Sequence, residues 1–238
     1  MRSALLASVL GLALAPTAHA GGINLAWNDC GAFGASSQTF ACNTNTGARK
    51  LYVSFVPPSD LSQFNGTDGI IDIASNQPTL GQWWNLANTG NPGCRNSGFD
   101  SADFTAGPFS CLDPWVGSAV SARNYQYLYQ GIPYRARLHF VTAVVSAVTV
   151  TVDHEYYDFS FLINNNNSTG AGACGGCLDG VCIVLQSLNL TQTQGNPSVL
   201  ITNPLLSQSV TWQTGAPVCP GATPSRNSTW GSVKALYR

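Results

Sequence analysis

Alternation of apolar and polar residues is the feature of this sequence that most constrains its fold. The stretch 134–140 reads YRARLHF, so an apolar residue or alanine occupies every second position, with a basic residue or histidine between. Successive side chains of a β-strand point to opposite faces, so this pattern predicts a strand with one buried and one solvent-exposed face. The same period of two recurs along the chain and no helical stripe persists, which predicts an all-β protein.

Turn-forming residues separate the predicted strands, for example Asn-Gly at 65–66 and Asp-Gly at 68–69. Their spacing is typical of an antiparallel β-sandwich, and we expect one of about nine strands, jelly-roll or cohesin-like, with disulfide-stapled loops. Residues 81–123 alternate less regularly and are interpreted as a long excursion from the sheets that disulfides staple in place. The other predicted strands are 23–27, 51–55, 69–74, 144–152, 156–163, 181–190, 198–202 and 209–212.

The first twenty residues have the composition of a secretory signal peptide. Arg2 precedes an apolar run at 4–15, and Ala-His-Ala at 18–20 predicts cleavage after Ala20. The run is too short to span a bilayer. We therefore expect a signal peptide at 1–20, a single β-sandwich domain at 21–214 and a C-terminal tether and closing segment at 215–238. The expected location is the periplasm, the cell surface or the medium.

Eight cysteines are the second constraint on the fold. An even number in an exported chain favours disulfides. Spacing suggests two local bridges, Cys30–Cys42 and Cys94–Cys111, and one bridge from the cluster at 174–182 to Cys219. The eight residues are Cys30, Cys42, Cys94, Cys111, Cys174, Cys177, Cys182 and Cys219.

The same cluster is compatible with a metal site, because the CGGC sequence at 174–177 lets two sulfurs reach one tetrahedral ion. No second CxxC is present in the sequence, and zinc–thiolate sites are commonest in reducing compartments. Disulfides are therefore the favoured interpretation, and no metal or other cofactor is predicted.

Charge and hydropathy exclude two classes of partner. Charged residues make up 9% of the chain, with 10 Lys and Arg against 11 Asp and Glu, and no basic run is present. A row of phosphates needs such a run, so nucleic acid is excluded as a partner. After the signal sequence the longest apolar stretch, 140–152, is valine-rich and interrupted by Thr and Ser, which predicts a strand and no membrane span.

Asp153, His154, Glu155 and Asp158 form the densest group of ionisable residues. Neighbouring side chains alternate faces in an extended segment, so the group is interpreted as a solvated turn rather than an acid–base site. No G-x-S-x-G motif is present, which disfavours serine hydrolysis. A pair of carboxylates suited to glycoside hydrolysis stays open, because the acidic residues suffice to supply one.

Aromatic residues supply the candidate binding site. Indole and phenol rings stack on the apolar C–H faces of sugars, and tyrosines at every second position line one face of a strand. Packing in a core produces the same pattern, so both interpretations stay open. The candidate residues are Trp83, Trp84, Trp115, Tyr125, Tyr127 and Tyr129.

Several segments, EYYDF at 155–159, the cysteine cluster with IVL at 183–185, and TWGSVKALYR at 229–238, resemble uncharacterised secreted proteins of environmental bacteria. WNDC at 27–30 fits the same resemblance. It implies bacterial export and no particular activity.

These observations favour a secreted, disulfide-stapled β-sandwich that acts as an extracellular or surface-associated binding or structural module. A glycan or a surface protein is the expected partner. Two alternatives stay open. One is an extracellular carbohydrate-active hydrolase, and the other is a self-assembling surface or filament subunit that uses the edges of an open sheet.

Overall fold

Two β-sheets packed together make up the described part of the chain, residues 21–87, 92–95, 110–213 and Cys219 of a computed structural model. The predicted all-β sandwich is confirmed. Short 3₁₀ turns occur at Gly31–Phe33, Gln82–Trp84 and Tyr129–Gly131. The strands are β1 (Gly22–Trp27), β2 (Ser37–Gln38), β3 (Ala48–Val56), β4 (Leu61–Ser75), β5 (Val120–Gln126), β6 (Arg135–Val150), β7 (Tyr156–Asn164), β8 (Val181–Gln192), β9 (Val199–Ile201) and β10 (Ser209–Trp212).

The smaller sheet has three strands in the order β1-β3-β7, and the larger has seven in the order β2-β10-β8-β4-β6-β5, with β9 paired to β8. Neighbouring strands among these run antiparallel, apart from the short parallel pair β2–β10. Antiparallel sheets can expose one face to water, and the larger sheet does so along β4, β5 and β6.

Both outer strands of the smaller sheet are hydrogen-bonded to loops. On β1, the Ile23 amide donates to the Asn203 carbonyl at 3.0 Å. At the start of β7, the Leu112 amide donates to the carbonyl of the preceding residue, Glu155, at 2.9 Å, and the Tyr157 amide donates to the Leu112 carbonyl at 2.8 Å. Loops that satisfy edge groups in this way block pairing with another chain.

A β-bulge interrupts β7 at Asp158. Val53 of β3 pairs with Phe159, whereas the next residue, Ser54, pairs with Tyr157, so Asp158 is the extra residue. Bulges break the simple alternation of faces. Here the bulge leaves a carboxylic acid fully buried within a mostly apolar strand.

A cluster of tryptophans fills one end of the core. Trp83 stacks on Trp212 with ring centroids 5.1 Å apart, and Trp84 meets Trp83 edge-to-face at 5.1 Å. Trp27 lies 6.0 Å from Trp212. The Trp212 indole donates to the Cys177 carbonyl at 3.0 Å, so the cluster also contacts a disulfide-bearing loop.

The two turns predicted at 65–66 and 68–69 are wrong, because both dipeptides lie inside β4. Their glycines serve packing instead. A Cβ on Gly69 would lie 2.1 Å from the Phe140 ring, and one on Gly66 would lie 2.7 Å from the main chain of β6.

Other boundaries also differ from the predictions. The separate strands predicted at 134–140 and 144–152 are one long strand, β6. Tyr134, expected on the buried face, precedes β6 and is 43% exposed. The predicted excursion at 81–123 is shortened by β5, and its residues 88–91 and 96–109 lie outside the described ones. The predicted signal peptide and most of the C-terminal tether also lie outside them.

All eight cysteines form disulfides, which are Cys30–Cys111, Cys42–Cys177, Cys94–Cys174 and Cys182–Cys219. The two local bridges predicted from spacing, Cys30–Cys42 and Cys94–Cys111, are therefore wrong, and the expected bridge from the 174–182 cluster to Cys219 is present. The fold brings together loops far apart in sequence, so proximity along the chain is a poor guide to pairing. No thiolate is left to ligate a metal.

Within the described residues, no helix has the length and apolar character needed to cross a membrane.

Candidate functional site

Four of the six aromatic residues predicted to form a stacking surface lie in the core. The side chains of Trp83, Trp84, Trp115 and Tyr125 are at most 3% exposed. The polar groups of Trp83, Trp115 and Tyr125 form internal hydrogen bonds, whereas the buried Trp84 indole nitrogen has no partner among the described residues. The Trp83 indole donates to Ser168 at 2.9 Å, and the Trp115 indole donates to the Asp158 carbonyl at 3.0 Å. These four rings are structural and present no face to a ligand.

The predicted alternation of Tyr125, Tyr127 and Tyr129 ends with β5. β5 ends at Gln126 and Leu128 adopts a left-handed conformation with φ 53°, so Tyr127 and Tyr129 lie in a turn and not in a strand. The half-buried Tyr127 donates to the Leu80 carbonyl at 2.5 Å, and burial raises the pKa of its phenol. Tyr129 borders a solvent-exposed groove on the outer face of the larger sheet, and Tyr127 borders a second groove near the disulfide loops.

The structure scatters the ionisable group at 153–158. Asp153 and His154 form an exposed pair at 2.8 Å in a turn, as predicted. Glu155 is half-buried and accepts hydrogen bonds from Asn24 at 2.7 Å and Ser54 at 2.5 Å. Asp158 is enclosed in the core. These carboxylates therefore do not converge on one site.

The candidate site is a groove on the outer face of the larger sheet. Register places Asn124 of β5 opposite His139 of β6, and Gln126 opposite Arg137. The groove has a volume of about 260 Å³ and is open to solvent. It is lined by Ile70, Asn124, Gln126, Tyr129, Arg137 and His139.

Asp72 holds the groove's guanidinium in place. Its carboxylate, 3% exposed, accepts hydrogen bonds from Arg137 Nε at 2.7 Å and Nη2 at 2.9 Å, in the bidentate geometry that suits arginine. Arg135 donates to the same carboxylate. The hydrogen bond to Asp72 raises the pKa of Arg137, so this side chain stays charged at any physiological pH.

Tyr129 is fixed from two sides. Arg137 lies 4.3 Å from the ring centroid, a cation–π distance, and its Nη1 donates to the phenol oxygen at 3.1 Å. Gln130 donates to the same oxygen at 3.2 Å. The left-handed φ values of Leu128 (53°) and Gln130 (55°) are uncommon for residues other than glycine, and they set the path of the loop that carries the ring.

His139 forms the other wall of the groove. Its Nε2 lies 2.6 Å from the Asp68 carboxylate, and both side chains are nearly half exposed. The sequence placed His139 on the wet face of its strand, and the structure agrees. Asp68 lies diagonally from His139 on the neighbouring strand β4, whose residue directly opposite His139 is Ile70, so the contact depends on the register between β4 and β6.

A second groove of about 410 Å³ lies near the disulfide loops, between 79–82, 127–133 and 175–179. Tyr127 and Leu128 form one side of this second groove, and Asp179 contributes a carboxylate to its lining. Two glycines, Gly81 and Gly176, approach so closely there that a Cβ on either would meet the other's main chain at 2.6 Å. The walls are mostly main chain and aliphatic, and offer fewer polar side chains than the outer-face groove.

Sequence reasoning found Tyr129 but missed Asp72, Gln126, Arg135 and Arg137. The alternating pattern predicted that the arginines face solvent, but it carries no information on which side chains they contact. Their convergence on Asp72 depends on the register between β4 and β6, which pairs Asp72 directly with Arg137.

The fold and the groove together define a disulfide-stapled β-sandwich with a polar groove on an exposed sheet face. No protein-family model matches the chain, and none of the curated proteins matches it significantly.

Proposed function

We propose that this protein is a secreted binding module that holds a carbohydrate in the outer-face groove. The observation that carries the proposal is the groove's lining, in which one aromatic ring on the turn after β5 lies beside planar polar side chains of β5 and β6. Sugars present apolar C–H faces that pack on rings and hydroxyls that bond to amide and guanidinium groups. Tyr129 supplies the ring, and Gln126 and Arg137 supply the polar partners.

The four disulfides and the low share of charged residues fit an extracellular protein. The predicted signal peptide adds to this, because it would deliver the chain to an oxidising compartment. A glycan or a glycan-bearing surface protein is a partner met in that location.

Rigidity supports binding at this groove. Apart from Tyr129, its lining side chains stand on paired strands, and Arg137 is held by both Asp72 and Tyr129. Groups that are already ordered lose less conformational freedom when a ligand binds, so more of the interaction energy appears as affinity. An uncharged, strongly hydrated ligand such as a neutral sugar benefits from this preorganisation.

Glycoside hydrolysis is less well supported than binding at the outer-face groove. Asp68 and Asp72 lie on the same face of β4, four residues apart, which corresponds to about 13 Å along a strand. Glycoside hydrolysis uses carboxyl groups about 5–10 Å apart. Asp72 is also occupied by two arginines. Self-assembly stays a hypothesis from the sequence.

The test is a screen of the disulfide-intact protein against a glycan array, followed by calorimetry on the best ligand. Tyr129→Ala should reduce affinity at least tenfold, because it removes the stacking ring. Tyr134→Ala is the matched control, since this exposed tyrosine follows the same loop but does not line the groove. Absence of any glycan ligand, or equal binding by Tyr129→Ala, would overturn the proposal.

A further inference from the structure

The groove and its rim contain more hydrogen-bond donors than acceptors. The Tyr129 oxygen already accepts from Arg137 and Gln130, so its own O–H is left to donate. Arg135 uses only Nη2, toward Asp72, and its Nε and Nη1 make no hydrogen bond to the described residues. A guanidinium has five N–H donors and no acceptor, so these groups call for a ligand rich in acceptor oxygens.

The charge of the two arginines also favours a ligand with acceptor oxygens. One carboxylate, Asp72, is shared by two guanidiniums, which leaves one positive charge in excess. Both arginine side chains are about three-quarters shielded, at 28% and 24% exposed, so solvent screens that charge less than it would screen a free side chain. The other carboxylate nearby, Asp68, contacts His139, which carries a charge only when protonated; Asp68 is 44% exposed, so solvent screens its charge more than that of the arginines.

The excess charge lies beside the proposed sugar site. The Arg135 guanidinium is 5.9 Å from the Tyr129 ring centroid, and Arg137 is 4.3 Å from it. A sugar ring placed against Tyr129 would bring a substituent on that ring within reach of Arg135. The forked guanidinium matches the two oxygens of a carboxylate.

We infer that the groove selects acidic saccharides, with a uronic acid carboxylate bound by Arg135 and the Tyr129 hydroxyl. This inference rests on the proposed function and names its ligand class. Neutral sugars of the same ring geometry bind more weakly, because they leave the excess charge and the free donors unpaired.

The experiment compares uronic acid tetrasaccharides with their methyl esters, which keep the ring and lose the charge. Calorimetry at low salt should give at least tenfold tighter binding of the acid, and the difference should shrink as salt is raised. Arg135→Gln should bring the acid-to-ester affinity ratio close to one. Arg49→Gln makes the same charge change on the other sheet and should leave the ratio unchanged.

The outcomes separate the two proposals. Equal affinity for acids and esters, with loss of both in Tyr129→Ala, overturns the inference and leaves carbohydrate binding intact. A preference for acids that survives Arg135→Gln also overturns the inference. Failure of acids, esters and the glycan array alike overturns the proposed function itself.

Discussion

The hydroxyl of Thr67 donates a 2.5 Å hydrogen bond to the carboxyl group of Asp158 in the interior between the two sheets. Thr142 lies directly opposite Thr67 on β6. Among the described residues, neither the second oxygen of Asp158 nor the Thr142 hydroxyl has a hydrogen-bond partner. Burial raises the pKa of Asp158 from 3.8 to about 7, because a carboxylate there loses its hydration. The bulge in β7 thus places a proton-binding group in the core.

This group should make the protein less stable as pH rises from about 4 to about 7. In that window the folded protein holds the Asp158 proton more tightly than the unfolded chain does, because the folded pKa lies above the unfolded one. The free energy of unfolding should therefore fall with pH, with a contribution of up to about 1.4 kcal/mol per pH unit from this group, and should level off above pH 7. Urea unfolding at several pH values measures it.

Asp158→Asn isolates that contribution. The amide stays neutral, so the difference in unfolding free energy between wild type and variant should change with pH across the window. Asp60→Asn, on the exposed loop before β4, is the control and should follow the wild type. If the unfolding free energies of Asp158→Asn and the wild type change in parallel with pH, Asp158 does not titrate as described.

Asp72 and Asp68 should differ in their contribution to stability although both form ion pairs on β4. Asp72→Ala leaves two partly buried guanidiniums without their shared partner and should reduce the unfolding free energy by about 1–3 kcal/mol. Asp68→Ala breaks an exposed pair and should change it by less than about 0.5 kcal/mol. Denaturant unfolding at pH 7 compares the two, and equal effects would contradict the structural distinction.

Gly69 should tolerate no side chain. The ring of Phe140, which a Cβ at this position would meet, is stacked on Phe159 at 4.6 Å and has little freedom to move. Gly69→Ala should therefore cost about 1–3 kcal/mol through overpacking. Gly175→Ala meets nothing within 4 Å and should cost under about 0.5 kcal/mol in the same thermal or denaturant measurement. A neutral Gly69→Ala would show that β4 and β6 pack differently.

The disulfide between Cys42 and Cys177 closes a separation of 135 residues. Constraint of the unfolded chain over such a length is worth about 2–5 kcal/mol, so the double variant Cys42→Ser/Cys177→Ser should lose that much. Peptide mapping without reduction checks the connectivity directly. It should recover Cys42 with Cys177 and Cys30 with Cys111, whereas a Cys30–Cys42 peptide would contradict the structure.

Local alternation predicted the strands well where one physical rule applies along a single segment. β7, β8 and β10 were predicted to within two residues of their ends, because turn formers bound each of them. The same rule failed at Gly66 and Gly69, where glycine meets a close neighbour in another strand and does not mark a turn. That neighbour is invisible to any local pattern.

The candidate site shows the same division. A row of tyrosines was visible in the sequence, without a decision between surface and core, and the arginines were predicted to be exposed, since polar positions of a half-buried strand face solvent. Their meeting with Asp72, and the burial of the tryptophans, could not be derived, because both depend on which strands pair and in which register.

By itself, the sequence determined the all-β class, the use of cysteines as disulfides and the exposed face of β6, since each follows from composition or from the two-residue period of a strand. Only the tertiary structure decided the partner of each cysteine, the burial of Asp158 against Thr67 and the convergence of Arg135, Arg137 and Tyr129. These depend on contacts between segments distant in sequence, whose energies are balanced over the whole core and are not encoded in any one stretch of the chain.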